Sequence, residues 1–340
     1  MTVLPDLDVP VVGAPMAGGV SSPLLVAAVC DAGGLGMLAA GYRTPEQLAT
    51  DLVHVRDLTD RPFGVNLFVP RPVDRGRHEE AVADYRTALA PEAARLGVDP
   101  GTPSWGDTDH WADKVVLVET FRPAVVSCTF GVPDREVVER WQAAGCEVHV
   151  TATSPEEATA AEAAGADVLV LQGREAGGHR GTHDPEADPV AIDHLGLLEV
   201  VSPTTTLPLV AAGGVTTPGD VRRALAAGAT VVQVGTALLL ATESGASRTY
   251  RAALRDPGLS ERVTTRAFSG RVAGALRNRF VDRFGAVAPP AFPVVDQVSR
   301  PLRAAAAAAG DVHGIHVWAG SGWRACQDRP AGKIVQDLAP

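Results

Sequence analysis

The apolar positions of the chain fall into short, nearly continuous runs such as Val168-Leu-Val-Leu and Pro208-Leu-Val-Ala-Ala. Runs of this length without polar alternation are the pattern of parallel strands buried on both faces. The segments between them carry helix punctuation at both ends. Thr44-Pro-Glu-Gln, Ser154-Pro-Glu-Glu and Thr217-Pro-Gly-Asp each supply a hydroxyl N-cap, a proline at N1 and an acidic or amide residue at N3. Asp31-Ala-Gly33, Ala143-Ala-Gly145, Ala163-Ala-Gly165 and Ala226-Ala-Gly228 each put a glycine where a helix ends and an apolar run begins, which suits a left-handed C′ position.

This repeat predicts strands at 10–15, 35–40, 63–69, 124–130, 147–152, 168–172, 208–213 and 231–236. Eight strands alternating with helices point to an α/β fold closed as a (β/α)8 TIM barrel. A doubly wound open sheet is less well supported, because no G-x-G-x-x-G follows the first run. Two segments fall outside the repeat. Residues 70–112 form an excursion after the third strand, with a helix expected near 78–96. Residues 241–340 form a tail that includes an alanine-rich helix expected from Pro301 to Ala309. The expected organisation is a barrel over 1–240, with 70–112 inserted, and a cap over 241–340 that packs on the barrel mouth.

Composition agrees with an ordinary globular enzyme: 340 residues, 46% apolar and 21% charged. A net charge of −10 gives no basic footprint for nucleic acid or anionic lipid. Cys30, Cys128, Cys146 and Cys326 are widely spaced with no C-x-x-C pair, so reduced thiols are expected rather than disulfides or a metal site. Met1-Thr-Val-Leu-Pro-Asp has no basic or long apolar leader, and no stretch is long and apolar enough to span a membrane. A cytoplasmic monomer or homodimer is expected, with no membrane or nucleic-acid partner.

Barrel chemistry sits at the C-terminal strand ends, and four of these stand out. After the first strand, Gly13-Ala14-Pro-Met16-Ala-Gly-Gly offers small residues against which a flat ring can lie. Asn66 is an amide inside an apolar strand, and a ligand at a strand end could satisfy it. The loop Gln172-Gly-Arg-Glu-Ala-Gly177-Gly178-His179-Arg-Gly-Thr-His183 presents His179 from a bare backbone. Its glycines oppose a helix, so His179 and His183 are not read as a metal pair. Gly213 and Gly214 after the seventh strand, with Gln233, Gly235 and Thr236 at the eighth, match the place where barrels hold a phosphate on backbone N–H groups.

Taken together these motifs resemble the nitronate monooxygenase family, formerly called 2-nitropropane dioxygenases. The likeness rests on Ala14-Pro-Met-Ala-Gly-Gly with Ser22-Pro, on Gln172 through Gly181, on Ala211-Ala-Gly-Gly, on Gln233-Val-Gly-Thr and on Trp318-Ala-Gly, and it spans about residues 9–325. It implies FMN held by Asn66, Gln172, Gly177, Gly214 and the run Gln233 to Thr236, with His179 beside flavin and substrate. It also implies that the flavin takes electrons from a nitronate, typically propionate 3-nitronate. O2 then gives the carbonyl product and nitrite without an external reductant. Where some relatives carry a histidine in the fourth strand this chain has Thr129, which with Trp318 is a candidate pocket residue. The tail His313-Gly-Ile-His-Val-Trp-Ala-Gly shows none of the tyrosines that line the pocket in some members.

A nitronate has already lost its α-proton and needs no base, whereas for a neutral nitroalkane the neutral imidazole of His179 is the expected proton acceptor near pH 7. Two other readings stay open at this level. One is an NADH-dependent FMN reductase acting on enoyl or quinone substrates. The other is a flavin-free barrel lyase or isomerase of a phosphorylated metabolite.

Overall fold

The computed structural model describes residues 3–340; Met1 and Thr2, which open the expected barrel segment, lie outside the described residues. Eight parallel strands close into a barrel in the order β1 (Val11–Gly13), β2 (Leu35–Ala39), β3 (Gly64–Phe68), β4 (Val125–Thr129), β5 (Glu147–Ala152), β6 (Val168–Gln172), β8 (Leu209–Ala212) and β9 (Val231–Val234). Closure is made by β1 on β9, with Gly13 opposite Val234. Every predicted barrel strand is present within one or two residues at each end.

The punctuation behaves as the local chemistry requires. Gly33, Gly145, Gly165 and Gly228 all have φ between +91° and +102°, a region an L side chain resists. Thr44, Ser154 and Thr217 each accept the N3 amide of the helix that follows. Asp220 completes a capping box at Thr217. Glu157 does something else. Its carboxylate accepts from Thr153 N at 2.6 Å and from His183 N at 2.7 Å, tying the histidine loop to the end of β5.

Side chains alternate across the strands. Val65, Leu67, Val126, Cys128, Val148 and Val150 face the surrounding helices. Leu4, Val12, Leu35, Met37, Val125, Val168, Val170, Val210 and Val231 fill the lower barrel interior.

Beyond the barrel, a three-stranded sheet joins β10 (Arg262–Thr265), β11 (Ala273–Leu276) and the two-residue β7 (Gly178–His179), so the histidine loop is a strand of the cap. The excursion forms the helix Arg75–Leu96, whose Tyr85 and Leu89 pack with Phe280 and Val298 of the tail. The tail divides. Its middle covers the mouth, while the last helix, Ala331–Asp337, returns to the barrel ring and buries Ile334 and Val335 in the main core.

The expected helix from Pro301 to Ala309 starts earlier, at Val294, and ends at Ala308. Val294, Val295, Val298 and Leu302 supply a buried stripe that overrides the proline signal, and the Val298 carbonyl takes the Gly101 N–H at 2.9 Å. Among the described residues no helix is long and apolar enough to cross a membrane.

Candidate active site

The upper barrel interior is polar where the lower is apolar. Asn66 is buried and donates from Nδ2 to Ser127 Oγ at 2.9 Å and to Thr129 Oγ1 at 3.0 Å. Thr129 Oγ1 lies 3.4 Å from Thr151 Oγ1. These inward positions of β3, β4 and β5 floor a cavity of about 550 Å3 at the C-terminal strand ends, a size in the range of small-molecule sites.

The histidine loop is held from both sides. Gln172 donates from Nε2 to the His179 carbonyl at 3.1 Å and accepts the Gly181 amide at 2.8 Å. Across the cap sheet His179 pairs with Ala273 and Gly178 with Gly274. The imidazole Nε2 lies 2.8 Å from Ser269 Oγ. Around the ring stand Phe130, Phe292 and Trp318, with centroids 5.7, 5.6 and 5.3 Å away. Arg271 is buried beneath, its guanidinium 3.9 Å from the Phe130 ring centre. Burial first, and the Arg271 cation second, push the His179 imidazole down to about 3, so it is neutral at pH 7. An imidazole shifted in that direction is a weaker proton acceptor than the ordinary histidine expected from the sequence.

Gly177 marks a close crossing. A Cβ there would lie 2.5 Å from Gly320 N and 2.6 Å from the Ala319 carbonyl carbon. The tail motif Trp318-Ala-Gly crosses at this point and is pinned on three sides. Ala319 N donates to Gly274 O at 3.1 Å, Ser321 N to Glu175 O at 2.9 Å, and Gly320 N to Thr236 Oγ1 at 3.0 Å. One short segment thereby joins the histidine loop to the loop after β9.

Gly213 and Gly214 follow β8 with φ of +101° and +75°. Among the described residues, the amides of Gly213, Gly214, Gly235 and Thr236 donate to no protein acceptor. The start of the next helix is different. The Asp220 carboxylate takes the Thr216 and Thr217 amides at 2.9 and 2.8 Å, so that helix end is already occupied.

The opposite wall comes from the tail. Buried Asp296 accepts from Arg300 and, at 2.6 Å, from Arg303 Nη2. Arg303 also donates from Nε to Ser299 Oγ at 3.1 Å and from Nη1 to His316 Nδ1 at 3.1 Å. Both cations hold the Asp296 carboxyl below its usual range despite its burial.

The cofactor, catalytic and pocket candidates read from the sequence line this one cavity: Ala14, Met16, Asn66, Thr129, Gln172, Gly177, Gly178, His179, Gly213, Gly214, Gln233, Gly235, Thr236 and Trp318. His183 does not; it is buried beside β5, with Nε2 2.9 Å from Thr151 O. Sequence reasoning missed Asp296, Arg300, Arg303 and His316, of which Asp296 and Arg300 precede the helix expected from Pro301. It also missed two tyrosines. Tyr42, on a left-handed backbone, and Tyr250, which donates to Trp318 O at 2.5 Å, both line the cavity. They come from other segments than the tail motif in which tyrosines were sought.

The family model described as nitronate monooxygenase matches residues 3–340. A nitronate monooxygenase of Pseudomonas aeruginosa is 41% identical, across 99% of this chain and 97% of its own length. Among solved structures, a nitroalkane oxidase from Streptomyces ansochromogenes is 47% identical with a TM-score of 0.94, covering 98% of this chain and 95% of that one. FabK from Thermotoga maritima, 24% identical with a TM-score of 0.75 over 98% of this chain and 93% of its own, shares the fold. With a closed barrel, a histidine loop at its mouth and this match along its length, the chain belongs to the nitronate monooxygenase family of oxidoreductases.

Proposed function

We propose that the chain binds FMN in the cavity and oxidises alkyl nitronates, such as propionate 3-nitronate, with O2 to a carbonyl compound and nitrite. The cavity fits such a cofactor. Its left-handed glycines and undonated amides after β8 and β9 form a cradle for a single terminal phosphate. Ala14, Met16 and the crossing at Gly177 leave small walls where a planar ring would lie. Asn66 and Gln233 supply amides at the cavity floor. When bound, the flavin supplies two-electron chemistry between substrate and O2.

The reading is carried by the charge state of the wall. Among the described residues, the only carboxylate lining the cavity is Asp296, and it is neutralised by Arg300 and Arg303. His179 is neutral and weakly basic. Arg271 adds a buried cation nearby. A wall with spare positive charge and no strong base suits a substrate that arrives deprotonated and negative, which is a nitronate rather than a nitroalkane. His179 then acts by position, its ring fixed by Ser269 and the aromatic residues around it.

The Streptomyces protein is named a nitroalkane oxidase. On the present reading a neutral nitroalkane would lose its proton before binding. The decisive measurement is the visible spectrum of the purified protein before and after anaerobic propionate 3-nitronate. A flavin spectrum bleached by the nitronate, and not by NADH, is expected. A colourless protein, or bleaching by NADH alone, would sink the proposal.

A further inference from the structure

His316 is not needed by the function just described, yet it is built with as much care as His179. Its ring lines the cavity and lies against Trp318 with centroids 5.2 Å apart. Phe268 and Tyr250 stand edge-on to it at 6.0 and 6.3 Å. His179 also sits 5.3 Å from Trp318. Both imidazoles therefore pack against one indole and line one cavity.

The hydrogen-bond partner of His316 decides its tautomer. Arg303 Nη1 lies 3.1 Å from Nδ1, and a guanidinium has only donors. Nδ1 must therefore accept, and in a neutral ring the proton is left on Nε2. Arg303 cannot turn away, because Nε is held by Ser299 Oγ and Nη2 by the Asp296 carboxylate and carbonyl at 2.6 and 3.0 Å. Nε2 has no partner among the described residues. Burial and the Arg303 cation also push the His316 imidazole down to about 3, so the ring stays neutral across the working pH range.

We propose that His316 is a substrate-binding and specificity-determining residue: its Nε2–H donates a hydrogen bond to a nitronate oxygen, and Arg303, anchored by Asp296 and Ser299, is the positioning residue that fixes the donor. This rests on the nitronate reading above. A nitronate oxygen only accepts, so a ring locked as a donor favours it, whereas a freely titrating or tautomerising histidine would present a lone pair part of the time.

The test has two arms. In the first, protein carrying 15N-histidine is observed by NMR at pH 7, with His316→Phe identifying the resonance. Protonated Nε2 with bare Nδ1 is expected; protonated Nδ1 or an imidazolium would overturn the locked-donor assignment.

In the second arm, anaerobic bleaching by propionate 3-nitronate is titrated in wild type, His316→Phe and His316→Gln, each with bound flavin quantified. Phe keeps the ring against Trp318 and loses the donor, whereas Gln returns an N–H near the Nε2 position. The apparent Kd is expected to rise about tenfold or more in His316→Phe, with the limiting bleaching rate little changed, and to return close to wild type in His316→Gln. An unchanged Kd in His316→Phe, or equal losses in both variants with flavin retained, would overturn the proposal while leaving the nitronate function standing. A wild type that the nitronate does not bleach would overturn the functional reading and this one with it.

Discussion

The two ends of the barrel are built from the same strands and solve opposite problems. At the bottom, Leu4 plugs an apolar interior, and the polar side chains admitted there, Glu147 and His149 of β5, are paired with each other at 2.6 Å. The second Glu147 oxygen takes the Val3 amide at 2.5 Å. At the mouth, the amides of Gly213, Gly214, Gly235 and Thr236 donate to nothing within the described chain, and both cavity imidazoles are held by one nitrogen only. Buried polar groups need partners. An end that satisfies them internally is made for stability, and one that leaves them facing a cavity is made for a ligand.

The sharpest break in this contrast is expected at the mouth. Gly177→Val would drive a side chain into the backbone of Ala319 and Gly320. The tail motif cannot retreat without losing its bonds to Gly274, Glu175 and Thr236. Flavin should be lost, and nitronate oxidation should fall by about a hundredfold or more, as misplaced catalytic geometry typically costs. Flavin content and turnover check this together; a variant with wild-type values for both would show that the crossing is not what shapes the site.

Glu147→Ala tests the other end. It strands buried His149 and the Val3 amide, at a cost of about 1–3 kcal/mol in unfolding free energy. Kcat/KM for the nitronate should be unchanged. Urea unfolding alongside steady-state kinetics separates the two ends, and a kinetic defect with flavin retained would mean that they are coupled.

The last expected effect is a pH dependence of stability from the mouth. His179 and His316 both have folded-state values near 3, below the ordinary value of 6.5 that applies when the chain is unfolded. Below about pH 6.5 the unfolded chain therefore binds protons that the folded chain refuses. Their contribution is fully present above that pH and is lost progressively as pH falls toward 3, at up to about 1.4 kcal/mol per pH unit for each group. Urea midpoints at about pH 7 and pH 5 should show wild type losing more stability than His316→Gln. Equal losses would show that His316 titrates normally in the folded protein.

Much of this molecule is legible in local signals. The N-cap hydroxyls at Thr44, Ser154 and Thr217 and the glycines at 33, 145, 165 and 228 act within a few residues of themselves, so their meaning does not depend on what the chain later meets. His179 was found the same way, because flanking glycines make an exposed loop recognisable. Glu147 and His149 were not. In Glu-Val-His-Val-Thr the alternation looks like a half-exposed strand, and only closure of the sheet turns its polar side into the barrel interior.

The sequence by itself determined the eight strand–helix units, their punctuation and the residues that converge on one mouth. Tertiary structure alone decided which polar groups there are free. Asp296, Arg300 and Arg303 are spaced as a solvated helix face would be, at i, i+4 and i+7. They become the wall of a cavity because Val294, Val295, Val298 and Leu302 bury the adjoining stripe against the cap. His316 likewise has no local signal: its tautomer is set by Arg303, a side chain on another element. Charge state, tautomer and basicity depend on burial and on partners brought together by the fold, and those are long-range properties that no short stretch of sequence carries.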